Sequence, residues 1–287
     1  MKLLIDSFWR AAAYCLHPRV IALSLMPLVL MAVVAFGLGY FLWDPTLAWV
    51  RTGVESQGWL TSVLGWLDSV GVGGLKALLA PLLIVFLAMP LVVIVSLLVV
   101  AAMMAPAMLT LVAERRFPAL ERRHGGSTTA GVFASLGATL VALVALVLSI
   151  PLWFVPPLVL ILPPLIWGWL TYKVMIYDVL AEHATKEERR EIIQRHRSAL
   201  LGMGVLTGYL GAAPSLLWAS GVLFLTLAPV LVPLAIWIYT LVFAFSALWF
   251  SHYALHALQT LRVEREATPG PSAATAPPAG LLPLPPA

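Results

Sequence analysis

The sequence predicts an all-α integral membrane protein with two long transmembrane helices, two helical hairpins and interfacial amphipathic helices. Three observations carry this prediction. Hydrophobic residues make up 61% of the 287 positions and charged residues only 10%, against roughly 25% charged in soluble domains. The mean hydropathy of +0.97 means more apolar surface than a soluble globule can hide. Finally, the stretches 20–43, 77–113, 124–172 and 198–261 contain no Asp, Glu, Lys or Arg at all.

Residues 1–19 read as an interfacial amphipathic helix, because Leu3, Leu4, Phe8, Trp9, Ala12 and Leu16 alternate with polar positions. Asp6 and Arg10 interrupt its apolar residues, and the first long apolar run has 24 residues. A cleaved signal carries about 7–15 in its apolar region, so this segment is not read as one. The membrane domain then occupies 20–261. A spanning helix needs about 20 apolar residues at 1.5 Å each, which makes 20–43 a single span with Pro27 near its start. Residues 44–76 form a non-cytoplasmic interfacial segment, with Leu60, Val63, Leu64, Leu67 and Val70 at helical spacing beside Trp59 and Trp66.

Residues 77–113 would be about 56 Å long as one helix. They carry Pro81, Pro90 and Pro106, so they read as one long, kinked span. Residues 130–172 read as a helical hairpin with its tip around Pro151–Pro164, because the Pro156-Pro157 and Pro163-Pro164 pairs remove donors and clash with the preceding turn. Whether the hairpins span or are re-entrant stays open at this level. The cytoplasmic amphipathic segment 173–197 contains Thr185-Lys-Glu-Glu188, a capping-box pattern, and Glu191 and Arg195 in i,i+4 register. Residues 198–261 form the second hairpin, with its bend at Pro229 and Pro233 and a kink or helix end at Pro214. The Pro- and Ala-rich segment 262–287 is expected to be a disordered cytoplasmic tail.

Charge sets the orientation. Of 17 basic residues, 15 lie in the flanks and loops around 1–19, 114–124, 173–197 and 262–265, and only Arg51 and Lys76 fall in 44–76. The positive-inside rule makes the former cytoplasmic and places both termini inside. The basic residues therefore serve as topology signals, and nucleic acid is excluded as a partner despite the net charge of +4.

Catalytic and metal chemistry leave no signature. A single cysteine, Cys15, precludes an internal disulfide or a thiolate zinc cluster. There is no HExxH, GxSxG, Walker-type glycine loop or dinucleotide fingerprint. Ser24, Ser96 and Ser149 lack nearby His or Asp. No enzyme, cofactor or metal is expected. His252 and His256 share a helix face at i,i+4, but without a third ligand they read as interfacial histidines.

Three polar or small-residue features remain. Lys173, Tyr177 and Asp178, next to Tyr172, cluster where the third apolar block leaves the membrane. They either line a pathway and position the hairpin, or are a snorkelling lysine with a tyrosine anchor. Gly204 and Gly208 form a GxxxG pattern extended by Gly211 and Ala212, suited to close helix packing.

The order of segments resembles a known family. The amino-terminal helix runs into His17-Pro18-Arg19 and a span containing Met26-Pro27-Leu28. A long span ends in Ala105-Pro106-Ala107-Met108 and Leu111-Val112-Ala113-Glu114. Tyr177-Asp178, a basic helix ending Arg195-His196-Arg197, Gly202 and a Pro214-containing segment follow. Over roughly residues 5–258 this is similar to the CysZ-like sulfate permeases and the etoposide-induced membrane proteins. The resemblance implies a multi-pass bacterial inner-membrane protein, homo-oligomeric, with a role in sulfate uptake. The family's sulfate motif follows the amino-terminal proline as Gly-Ile/Leu-Arg-Arg, whereas this chain has Arg19-Val20-Ile21, with no glycine and one arginine. His17 and Arg19 are thus the candidate anion-binding residues. The expected function is a permease or channel-like protein for a small solute such as sulfate or another inorganic anion, embedded in the lipid bilayer. The alternative is a non-transporting membrane scaffold that shapes the bilayer.

Overall fold

The computed structural model describes residues 2–58, 62, 65, 66, 69, 74–123, 125, 126, 128–212 and 222–267. Among them no strand occurs. The helices are α1 (Lys2–Cys15), α2 (Pro18–Ser56), α3 (Gly74–Arg116), α4 (Thr128–Ser149), α5 (Pro156–His183), α6 (Lys186–Arg195), α7 (Arg197–Ala212) and α8 (Val222–Ala267). A 3₁₀ turn, Ile150–Phe154, joins α4 to α5. Five stretches are long and apolar enough to cross a bilayer: Pro18–Gly53, Pro81–Arg116, Thr129–Phe154, Pro156–His183 and Val230–Ala267. Their outer faces carry bare Phe36, Tyr40, Phe86, Phe133 and Phe154, which only lipid can solvate without cost. The fold is all-α and membrane-embedded.

Several boundaries differ from the sequence expectation, each for a local reason. The first span continues past Trp43 to Ser56, straight through Pro45. The segment 173–197 is divided, because α5 runs on to His183 and only Lys186–Arg195 forms the short helix. The first hairpin turns at 150–155 and not across 151–164. Pro156 and Pro157 open α5, where the first N–H groups have no helical partner and proline costs nothing. Val155 before them is extended, as a residue preceding proline prefers.

Pro163 and Pro164 lie inside α5. In a regular helix the N–H of residue 164 would donate to the Leu160 carbonyl. Pro164 has none, and the Tyr209 hydroxyl of α7 donates to that carbonyl at 3.3 Å. A neighbouring helix thus satisfies the group that proline frees. In the second hairpin α8 passes unbroken through Pro229 and Pro233, so the chain does not bend there. Pro214, the 59–61, 63–64, 67–68 and 70–73 positions that include Leu60 and Val70, and the tail from Thr268 lie outside the described residues.

Helix α8 is the centre of the packing. It meets α1, α2, α3, α5, α6 and α7, and its Leu248, Trp249, Phe250, Ala254, Leu255 and Leu258 are buried in the core. The Trp249 indole donates to Ser7 Oγ at 3.1 Å and approaches the Leu4 carbonyl at 3.3 Å. Phe8 stands edge-on to Phe245 and Trp249. One face of α1 is therefore docked on α8, while Ile5 and Trp9 remain exposed for the membrane surface. Trp237 of α8 ties to α2 by donating to Ser24 Oγ at 3.0 Å.

Between α5 and α7 the contact is backbone to backbone. A Cβ on Gly204 would collide with the Gly168 carbonyl and sit 2.9 Å from Tyr172 Cβ; one on Gly168 would sit 2.6 Å from Val205 Cα. The glycines at 204 and 208 thus face Gly168 and Pro164 of the same chain. Helices this close gain dispersion contacts that lipid cannot replace.

One polar cluster, the cap, closes the end of the bundle. Glu188 is 1% exposed and Arg262 9%. Arg262 donates Nε to Glu188 Oε1 at 3.0 Å and Nη2 to Oε2 at 3.1 Å. Its remaining donors reach the Glu121 carbonyl at 3.0 Å and the His183 carbonyl at 2.6 Å. Arg123 adds a third contact to Glu188 at 3.3 Å. The capping box forms around the same carboxylate, with Thr185 N donating to Glu188 Oε2 and Glu188 N to Thr185 Oγ1. On the outer side Arg195 bridges Glu191 and Glu264, and Arg265 also meets Glu191. Burial by itself would raise the Glu188 carboxyl, but the Arg262 hydrogen bond, the Thr185 N–H and the nearby guanidinium charges hold it below its ordinary value.

Four variants test these contacts. Arg262→Met strands a buried carboxylate and is expected to destabilise the protein by about 3–5 kcal/mol, read as a lower thermal melting point in detergent. Because the Glu188 pKa is depressed on folding, its contribution is complete above the ordinary carboxylate range. That contribution is lost as pH falls through the depressed value, below the ordinary carboxylate range. Glu188→Gln should flatten this acid limb of the stability profile. Gly204→Leu should cost about 1–3 kcal/mol or more from overpacking. Gly211→Leu, where a Cβ meets nothing within 4 Å, should melt like the parent.

Candidate functional site

The junction between α1 and α2 contains His17, Pro18 and Arg19. A helix start is a ready anion site when its N–H groups are free, and here they are engaged. Pro18 has no N–H; the Arg19 N–H donates to His17 Nδ1 at 3.2 Å. The Val20 and Ile21 N–H groups both donate to the His17 carbonyl, at 2.9 and 3.1 Å. His17 is thus a side-chain cap of α2, which orients its ring toward the backbone of Arg19. The Arg19 side chain is exposed and has no ion-pair or hydrogen-bond partner among the described residues. What this junction can offer an anion is that guanidinium, with five donors in a planar fork.

The Lys173, Tyr177 and Asp178 group does not stay together. Lys173 lies over the Trp169 and Tyr172 rings, its Nζ 5.9 and 5.4 Å from their centroids. The Tyr177 ring takes the Arg189 guanidinium at 4.5 Å and sits where a side chain on Gly131 of α4 would be, so it joins α4, α5 and α6. Asp178 is exposed and makes no ion pair or hydrogen bond among the described residues. It follows Trp167, Thr171 and Val174 along one stripe of α5.

Around the cap the structure assembles groups that spacing could not reveal. Glu114, Arg122 and His183 line a small pocket of about 200 Å³ with Phe117, Pro118 and Leu120. Arg122 pairs with Glu182 at 3.0 Å, and the buried His183 Nδ1 has no hydrogen-bond partner. Arg262 and Glu188 are 74 positions apart, so no local pattern marks the pair; the one available signal was an Arg ending the last apolar block. His196 Nδ1 lies 2.9 Å from the Tyr253 hydroxyl, and burial, then the Arg195 charge, lowers its pKa.

His252 and His256 do not act as a pair. His252 is buried edge-on to Tyr14, His256 is exposed, and no group of three metal-ligating side chains occurs among the described residues. Ser24 and Ser149 donate to carbonyls of their own helix and accept from Trp237 and Trp153. Burial raises the Cys15 thiol to about 11, so it is not a thiolate at neutral pH.

Comparison with known proteins adds a family. The family model of the sulfate transporter CysZ and etoposide-induced protein 2.4 matches residues 7–220. The match takes in α1 to α7 and stops short of α8, somewhat less than the resemblance over 5–258. No curated protein and no solved structure matches the chain. With three quarters of its length matched, including the α1–α2 junction and the α5–α7 pair, the chain belongs to the family of the sulfate transporter CysZ and etoposide-induced protein 2.4.

Proposed function

We propose that the protein is a permease of a bacterial inner membrane that passes a small inorganic anion, with sulfate the first candidate. The observation that carries this reading is the exposed, unpaired Arg19 guanidinium at the start of the first span, in a chain of a sulfate transporter family. The cap and both termini are assigned to the cytoplasm by the distribution of basic residues. Arg19 at that boundary raises the local concentration of anions and offers a bidentate contact to an oxyanion. His17 contributes by holding the helix start in place. The working form is a homo-oligomer, because the hydroxyls in the spans are turned to their own backbone and leave a single chain little to line a polar path with.

A second reading, a non-transporting scaffold that shapes the bilayer, is favoured by that same observation. Thr110, Thr139, Thr171, Thr240 and Ser251 each donate to a carbonyl one turn earlier. Such hydroxyls keep no free donor to line a path for an anion.

Radiolabelled sulfate uptake into proteoliposomes separates the two. The permease reading expects saturable uptake above empty liposomes. Arg19→Ala should raise the half-saturation concentration by about tenfold or more, the loss of one charged hydrogen-bonding group, with unchanged melting temperature because the side chain holds no structural contact. Uptake no greater than that of empty vesicles, from folded and inserted protein, would sink the permease for sulfate and leave the scaffold.

A further inference from the structure

On the lipid-facing side of α5, α7 and α8 lies an open-sided groove of about 550 Å³, within the size range of ligand sites. It runs from Pro163 to Met175 along α5 and from Tyr239 to Ser246 along α8. Apart from Tyr239 at one end, the hydroxyls of its lining do not face into it as free groups. Thr171 donates to the Trp167 carbonyl at 2.9 Å, Thr207 to Gly204 at 2.9 Å and Ser246 to Val242 at 2.8 Å. What they present is methyl and methylene surface, continuous with Trp167, Val174 and Phe243. A hydrated ion would lose its water there and gain nothing, whereas an alkyl chain loses nothing.

The length of the groove also fits an alkyl chain. Along α5 it covers about 18 Å, a little over half of the roughly 30 Å hydrocarbon core and thus about one leaflet's depth. At its cap end stands Asp178, one turn beyond Val174 on the same stripe. It is exposed and unpaired among the described residues, about 6 Å of helix rise from the groove's last lining residues. That offset is the distance from the top of a lipid's chains to its headgroup. A carboxylate there complements a cationic head and repels an anionic one.

We propose that this groove holds an acyl chain of a phospholipid whose ammonium headgroup pairs with Asp178. The site stands apart from the Arg19 junction and does not depend on the transport reading. It selects zwitterionic aminolipids over anionic lipids of the same chain composition.

The test uses purified full-length protein in detergent, titrated with phosphatidylethanolamine or phosphatidylglycerol of identical chains and weighed intact by native mass spectrometry. The wild type should retain phosphatidylethanolamine roughly fivefold more tightly, as expected for one partly exposed ion pair. Asp178→Asn should remove the preference, and Val174→Trp, which fills the groove, should reduce retention of both lipids. Equal retention by the wild type, or a preference that survives Asp178→Asn, would overturn the assignment. So would a Val174→Trp variant that changes oligomeric mass but not lipid retention, since the groove would then belong to a second copy. If Val174→Trp does not fold, the Asp178→Asn comparison decides alone.

Discussion

The bidentate pair between Glu188 and Arg262 is the interaction on which the rest of the structure leans. Four chain segments, from three separate parts of the sequence, meet at it. The loop after α3 contributes the Glu121 carbonyl and Arg123, the end of α5 contributes the His183 carbonyl, α6 supplies the carboxylate and α8 the guanidinium. A buried ion pair is often no more stable than an apolar packing of equal volume. Here its value lies in geometry. Within a bilayer the hydrophobic effect does not draw helices together, since lipid solvates apolar faces as well as another helix does. Something polar and directional must set which helix ends meet, and a guanidinium with four donors engaged does that.

The second constraint is the backbone in lipid, and it explains which parts of the fold could be read from sequence. Charge-free runs identified the membrane segments because desolvating a charge costs more than any local contact returns. The capping box at Thr185–Glu188 was legible because its donors and acceptors lie three residues apart. The prolines misled wherever their cost was taken as fixed. A proline breaks a helix if the carbonyl it frees has no other partner. Leu160 finds one in Tyr209, 49 positions away, and Pro156 and Pro157 fall where no donor is required. At Pro229 and Pro233, too, α8 continues as helix, and its packing against several neighbours is something local spacing does not report.

Site residues divide along the same line. His17 and Arg19 could be named from their place before the first span, and the structure shows what each has available. The ring of His17 is used within the helix cap and the guanidinium of Arg19 is not. Lys173, Tyr177 and Asp178 lie within six positions, but their side chains meet three surroundings: the Trp169 and Tyr172 rings, the Arg189 guanidinium, and the exposed end beyond the groove. Tyr177 and Asp178, as neighbours, are about 100° apart around the helix, whereas Lys173 shares a side with Tyr177 and is parted from it by the course of its long chain over Trp169 and Tyr172.

Arg19 and Arg262 carry the same side chain, and the difference between them is a matter of supply and demand for hydrogen bonds. Arg262 is sunk among two carbonyls and a carboxylate, where a bare guanidinium would be costly; four of its five N–H donors are committed there. Arg19 stands at a helix start whose own N–H groups are already taken by His17 and whose first residue is proline. An oxyanion arriving there finds no backbone cradle and must be held by the side chain alone. Such a contact is weaker than a cradle of amides with two arginines, and it is also less particular about the shape of the anion. On the proposed permease reading, the altered junction therefore argues for a rim that attracts inorganic anions broadly.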